Sequence, residues 1–391
     1  MRKERQIELL ERVIAAGPNL VGLHGPTSMI NDAAAYTDPV RFEREMSILF
    51  RGWPVLFALS CELHAPGDYR AAVVAGVPIV VIRQIDGHVV ALVNTCRHRG
   101  APLVDDGSGN LQSSLSCPYH AWTYGLDGRL RARPGSSGGF GDVDANCDLI
   151  GVPVAERYGL IFVRAGGGAP IEVDTHLAGA EDDLAAFGLD RYVHIDTRTD
   201  TWSFNWKLVL DTFCESYHVR TLHKSTLAPT FDSNAEILEA FGPHMLAVGL
   251  RKDTIDQTSR PRNEWSLLAR STAQYFLVPG ALVVHQVDHV EVWRLQPIDV
   301  RTTMTAVSVF APTEPHSERS RNYFVKNLEL LLDVTGKEDF VMMSKIQRHL
   351  DSGTLPHVIY GRNEAPLVHL HQSINDALAV NGPMVTTAAA Q

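Results

Sequence analysis

The chain has 391 residues, long enough for two or three domains, and its 45% hydrophobic and 20% charged residues give it the material for a real core. A formal net charge of −10 argues against a nucleic-acid footprint, which needs a basic patch. The five cysteines are an odd number with no C-x-x-C, which argues against a secreted disulfide framework, and no apolar run approaches the roughly 20 residues of a membrane span, so a cytoplasmic protein is expected.

The N-terminal stretch MRKERQIELLERVIAAG mixes charged and apolar residues throughout and does not read as a signal peptide. Ile7, Leu10, Val13 and Ile14 fall at helical spacing, which predicts a short amphipathic helix, and residues 1–50 read as a peripheral helical segment. From Trp53 the pattern changes. WPVLFALS, AVVAGVPIVVIRQ, HVVALVNT and SSLSC read as strands, with hairpin turns at Ile85–Gly87 and Leu126–Gly128. YGLIFVRA closes this β-rich region near Ala165, and GGGAP at 166–170 reads as a linker. Beyond it, HLAGAEDDLAAFG and NWKLVLDTFCESYH read as helices. STAQYFLVPGALVVHQ, HVEVWRLQPI and TMTAVSVFAP read as long strands, and helical periodicity returns over 317–350. Strands in hairpin order with helices before and after predict an α+β domain, an antiparallel sheet covered by helices. There is no βαβ rhythm and no G-x-G-x-x-G between strand and helix, so no nicotinamide or flavin site of the Rossmann type is expected.

Two constellations carry chemistry. The first is Cys96 and His98 in NTCRHRGAPL, followed by Cys117 and His120 in SCPYHAWTYG. Each loop supplies one cysteine and one histidine. A [2Fe–2S] cluster fits this mixed pairing, with Cys96 and Cys117 on one iron and His98 and His120 on the other, and two imidazoles in place of two thiolates raise its potential. A zinc site usually pairs like with like, and the single-residue spacing of C-x-H also disfavours it. CRHRGAPL and CPYHAWTYGLDG, including Arg99–Gly100 and Trp122, resemble the Rieske motif of aromatic ring-hydroxylating oxygenase α subunits, the Rieske non-haem iron oxygenases. The resemblance extends loosely over the whole chain. It implies an all-β Rieske domain over 51–168 and a helix-grip catalytic domain over 169–391, with residues 1–50 packed on the latter.

The second constellation lies in FNWKLVLDTFCESYHVRTLHK. At about 100° per residue, His218 and His223 would stand about 140° apart on an ideal helix, too wide to share a metal, so the helix must end or distort between Val219 and Leu222 if both bind one. Glu215 and His218 share a face, as do Asp211 and Glu215. Two histidines and a carboxylate form the facial triad of Fe(II) oxygenases, which leaves positions open for O2. The resemblance carries His218 and His223 over as iron ligands. It places the third ligand on a late helix, where GKEDFVMMSKIQRHL offers Asp339, with Glu338 and Asp333 as rivals. It assigns Glu215 to a bridge between His218 and a cluster histidine of the neighbouring subunit, with Asp211 as the next candidate. The family more often has Asp at the position of Glu215, and its carnitine and betaine oxygenases tend to have Glu.

The resemblance further implies the terminal component of an oxygenase. It would hydroxylate or dihydroxylate an aromatic or related hydrophobic substrate, as in aromatic hydrocarbon catabolism, with a monooxygenase or N- or O-demethylase as the alternative. Electrons from NAD(P)H would arrive through a reductase, with or without a ferredoxin. The assembly would be a homotrimer, with or without a β subunit. Among the remaining residues, Cys61, Cys147 and Cys214 read as core thiols, and His285 and His289 flank a strand end, where they suit a surface better than a pocket lining. His369 and His371 read as packing or interface residues. Phe213, Tyr275, Phe276 and Phe310 suit a pocket or the core equally well.

Overall fold

The computed structural model describes residues 1–135, 139–140 and 146–380, so the end of the expected catalytic domain, 381–391, lies outside the described residues. The chain opens with helix α1 (Lys3–Ala16), as its periodicity predicts. Residues 1–50 are not all helical, however: β1 (Met29–Asp32) pairs antiparallel with β20 (His357–Tyr360), tying the start of the chain to its end.

The β-rich region forms three small antiparallel sheets. The first contains β3 (Asp68–Val74), β4 (Val77–Arg83), β5 (Val89–Val93), β6 (Gly107–Asn110) and β10 (Gly151–Val152) in the order β10-β5-β4-β3-β6. The second contains β2 (Val55–Leu59), β11 (Val154–Arg157) and β12 (Leu160–Val163), and the third β7 (Ser114–Ser116), β8 (Thr123–Gly125) and β9 (Leu130–Ala132). AVVAGVPIVV, which reads as one strand, is a hairpin. Ala75 and Gly76 both adopt left-handed φ (46° and 82°), and a two-residue turn of that hand matches strand twist. Strand β4 reads as an unbroken apolar run because both its faces are covered. Ile79 and Val81 pack with Phe57, Ile161 and Val163, while Val80 and Ile82 pack beneath Cys96, Cys117, Trp122 and Tyr124.

The larger sheet is seven-stranded and antiparallel, in the order β13-β19-β18-β17-β16-β15-β14. Its strands are β13 (Val193–Trp202), β14 (Ile237–Phe241), β15 (His244–Leu250), β16 (Ser271–Leu277), β17 (Ala281–Gln286), β18 (His289–Asp299) and β19 (Thr302–Ala311). On one face Tyr275, Val283 and Val292 pack with Leu9, Leu10 and Val13 of α1 and with Leu56 and Phe162. On the other, Phe276, Leu282 and Trp293 pack with α2 (Trp206–Phe213), α5 (Phe340–Asp351) and α6 (Ala365–Val380). Short α3 (Val219–Leu222) follows α2, and α4 (Glu318–Val334) precedes α5. HLAGAEDDLAAFG forms two short helices, Val173–Leu177 and Glu181–Ala185, broken at Ala178, which adopts left-handed φ. Among the described residues no helix is long and apolar enough to cross a membrane.

Ion pairs staple these layers. Glu62 meets both Arg70 and Arg294 of β18, so a carboxylate at the end of β2 is anchored to the large sheet. Lys207 and Glu45 are wholly buried and 2.6 Å apart, and the indole N–H of Trp206 also donates to Glu45 at 2.9 Å. Burial pushes the Lys207 ammonium down, and the Glu45 charge opposes that. Removing one partner of such a pair strands the other without water. Glu45→Ala is therefore expected to destabilise the fold by about 3–5 kcal/mol, read as a marked fall in the thermal midpoint.

Candidate metal centres and the adjoining cavity

The first constellation sits on two loops built alike. The amide of Cys96 donates to Ala101 O and that of Gly100 to Cys96 O. The amide of Cys117 donates to Trp122 O and that of Ala121 to Cys117 O. Gly100 and Ala121 occupy equivalent left-handed positions (φ 79° and 56°), which close each loop tightly. Cys96 and Cys117 are buried, and the phenol of Tyr124 lies 3.4 Å from Cys96 Sγ. Burial raises the Cys117 thiol, but the backbone N–H groups of His120 and Tyr119 outweigh it and bring it below the usual thiol range. The rings of His98 and His120 turn the same atom inward, their Nδ1 atoms 3.1 Å apart, and Trp122 stacks on His98 at 5.0 Å. The residues thus sort as cysteine with cysteine and histidine with histidine, the arrangement a two-iron cluster needs.

The second constellation departs from the helix expected for it. Helix α2 ends at Phe213, before Glu215, so Asp211 and Glu215 do not share a helical face, and the break falls ahead of His218 rather than between Val219 and Leu222. His218 and His223 flank the single turn of α3, one at each end, and their rings approach to 5.0 Å. Asp339 closes a π-helical turn, Thr335–Asp339, that joins α4 to α5. His218 Nε2 lies 3.4 Å and His223 Nε2 3.0 Å from Asp339 Oδ1, and the three ligand atoms fall within 4.8 Å of one another. Asp339 Oδ1 is nonetheless buried without an aligned hydrogen bond among the described residues.

Carboxylates hold both rings from behind. Glu215 accepts from the Nδ1–H of His218 and from its backbone N–H at 3.0 Å. Glu338 accepts from the Nδ1–H of His223 at 2.7 Å and from the hydroxyl of Thr226 at 3.0 Å. Burial lowers the pKa of His223, and Asp339 and Glu338 more than restore it. With Nδ1 donating, each Nε2 offers a lone pair toward Asp339, a donor set suited to a ferrous ion.

The rival carboxylates separate cleanly. Asp333 is exposed and pairs with Lys337 at 2.8 Å, and Glu338 backs His223. Asp211 is not brought to this centre: it accepts from Tyr36 at 2.5 Å and from His371 Nε2 at 2.8 Å, inside a buried cluster with Tyr360 and Asn31. His369 reaches His244 O at 3.2 Å.

A cavity of about 460 Å3 opens beside His218, His223 and Asp339. Phe213, Leu227, Phe231 and Val284 give it apolar walls; Tyr275, Phe276 and Phe310 belong to the core. His289 is buried and lines the cavity, the lesser of its two expected placements, because β18 begins under α4, where the ring meets Phe324. Two further acids in the lining, Glu236 and Glu291, are buried, and nothing in their sequence neighbourhood marks them. Burial and the charge of Glu215 push the Glu236 carboxyl up to about 8.

Comparison with known proteins matches residues 53–149 to the Rieske [2Fe-2S] domain and residues 187–380 to the Ring hydroxylating alpha subunit (catalytic domain). The chain belongs to the Rieske non-haem iron oxygenases. It is 34% identical over 192 residues to the glycine betaine monooxygenase oxygenase subunit of Chromohalobacter salexigens, covering 49% of this chain and 42% of that one. It is 33% identical over 190 residues to the carnitine monooxygenase oxygenase subunit of Acinetobacter baumannii, covering 48% and 51%. The chain thus spans about half the length of the curated relatives it matches. Among solved structures, the quaternary ammonium Rieske monooxygenase CntA superposes with a TM-score of 0.78 at 22% identity, covering 90% of this chain and 96% of that one. A Rieske oxygenase carries a Rieske [2Fe–2S] cluster and a mononuclear iron, and both donor sets described above fit these groups.

Glu338, absent from the sequence-based reading except as a rival ligand, generates a prediction. Glu338→Gln keeps the shape but weakens the hold on His223. Iron affinity, titrated under anaerobic conditions, is expected to fall about 10–100-fold with the cluster unchanged.

Proposed function

We propose that this chain is the terminal oxygenase component of a multicomponent system that hydroxylates a small organic substrate. In this reading Cys96, His98, Cys117 and His120 hold the cluster, and His218, His223 and Asp339 hold the iron. One observation carries it: two histidine Nε2 atoms, each backed by a carboxylate, converge with an orphaned buried carboxylate oxygen on the wall of the cavity. When bound, the cluster relays single electrons and the iron activates O2.

The chain's own residues do the rest. Glu215 and Glu338 fix the rings, hold the N–H of each neutral imidazole at Nδ1 and so make Nε2 the ligating atom, with its basicity raised. Phe213, Leu227 and Val284 give a substrate an apolar seat and displace water from it. His120 is exposed and His98 half-buried, so the histidine edge of the cluster loops is open to another protein. That suits a reductase or ferredoxin. It also suits the neighbouring subunit of a trimer, in which Glu215 would bridge His218 to the neighbour's cluster histidine.

Protein purified without air is expected to contain acid-labile sulfide and, once reduced, the rhombic low-g resonance of a Rieske centre; zinc without sulfide would overturn the reading. Asp339→Ala should lose the mononuclear iron and reductase-driven O2 uptake while retaining the cluster spectrum, and Asp333→Ala should lose neither. If Asp333→Ala is the variant that loses iron, the ligand set is wrong. Glu215→Gln should load both metals yet give product at least about tenfold more slowly in a single turnover from reduced cluster. An unchanged rate would leave Glu215 as a support for His218 alone.

A further inference from the structure

The cavity wall contains an acid without a counter-charge. Glu236 precedes β14. Continuing the pairing of Ile237 with Val248 sets it beside Gly249, and the same row runs on through Thr272, Gln286 and His289 across the sheet. Glu236 is 5% exposed, its Oε2 is buried and unpartnered, and among the described residues no ion pair or hydrogen bond reaches its carboxylate. Gly249 keeps one side of it clear, since a Cβ there would stand 3.6 Å from Glu236 Oε1.

Other buried acids of this protein are treated differently. Glu45 has Lys207, Glu62 has Arg70 and Arg294, and Glu291 faces His289 Nε2 at 3.3 Å. Arg251, a cation in the same cavity lining, lies over the ring of Phe231 and forms no ion pair with Glu236. A buried carboxylate left unpaired is strongly unfavourable, so a chamber without a cation favours the protonated acid; buried polar groups normally have partners, and a cation entering the chamber supplies the one that lets the proton leave. A purely packing role at this position would be filled better by an apolar side chain of similar volume. The partner therefore comes from outside the chain, and the side chain is open to the cavity in which the substrate sits.

We propose that Glu236 is the counter-charge for a substrate bearing a positively charged nitrogen, an organic ammonium whose alkyl or aryl body lies against Phe213, Leu227, Phe231 and Val284. This rests on the reading of the cavity as the substrate chamber of the oxygenase. Glu215 lines the same chamber and its charge is felt at Glu236, so a cation is favoured there and an anion disfavoured.

The test uses two probes of one shape, choline and its uncharged carbon isostere 3,3-dimethyl-1-butanol. Binding is measured by calorimetry on protein whose sulfide and iron have been assayed. Choline is expected to bind at least about thirtyfold more tightly than the alcohol. Glu236→Gln should weaken choline at least about tenfold and leave the alcohol within about twofold, and Glu236→Asp should keep part of the preference. Equal binding of the two probes, no choline binding in the millimolar range, or an undiminished preference in Glu236→Gln would overturn the proposal. If Glu236→Gln does not fold, the comparison of the two probes on the unaltered protein decides alone. Protein without sulfide or mononuclear iron would overturn the oxygenase reading itself, whereas loaded protein that binds both probes alike would overturn only the assignment of the cation.

Discussion

The outer nitrogens of His218 and His223 each need an acceptor, and the catalytic half of the chain is arranged around supplying it. A neutral imidazole carries one N–H and one lone pair, and an acceptor for the N–H at one nitrogen fixes the lone pair on the other. Glu215 meets this need from the turn that ends α2, gripping both the backbone and the ring of His218. Glu338 meets it from the π turn between α4 and α5, across 115 positions of sequence from His223. The same π turn delivers Asp339 to the opposite side of the rings. Consecutive acids thus do different work, one behind a histidine and one in front of both. An uninterrupted α-helix would close each hydrogen bond one residue sooner and aim the pair elsewhere, which is why such turns recur at functional sites.

The seven-stranded sheet gives this arrangement a rigid floor. Its far face is filled by α1 and by side chains from β2 and β12, and its near face by α2, α5 and α6, so it is buried on both sides over most of its area. Where the near face meets the metal-binding elements, the alternation changes character: Thr272, Gln274, Gln286, His289 and Glu291 replace aliphatic residues and line the cavity. The Arg294–Glu62 pair fixes the β2 end of the cluster-bearing sheets to that floor. The cavity is therefore a local lapse in an otherwise apolar layer, shaped by polar residues that packing alone would not select.

Sequence made the cluster loops legible because their ligands are local. C-x-H and C-x-x-H each close one tight loop, and ligand identity needs no tertiary information. The large sheet was half legible: the hairpins of β16 to β19 announce themselves by alternating apolar runs, while β13, β14 and β15 did not, since His244–Leu250 is buried throughout and carries no period-two signature. Asp339 could be narrowed to three acids but not fixed, because the π turn shifts the register by one residue and no composition rule marks such a turn. The end of α2 at Phe213 was invisible for a related reason. Cys214, Glu215 and Ser216 are tolerable in a helix, and only tertiary contacts terminate it there. Glu236 offered no signal at all, being one acid among many until its burial and missing partner are seen.

The two centres also differ in how they meet solvent, and the difference suits the roles proposed for them. His120 is exposed at the tip of its loop, whereas His223 and Asp339 are only 1% and 2% exposed. A relay has to be approached by redox groups carried on other proteins, so one edge of it must reach the surface. A site that activates O2 beside a C–H bond has to keep bulk water away from the reacting atoms, and in a low-dielectric pocket each fixed charge counts for more. Burial of that kind makes every acid near the iron costly unless something pairs with it. Glu215 and Glu338 are accounted for by the histidines, and Asp339 by the ion proposed to sit between them. What remains unbalanced in the pocket therefore points outward, to the charge of whatever enters it.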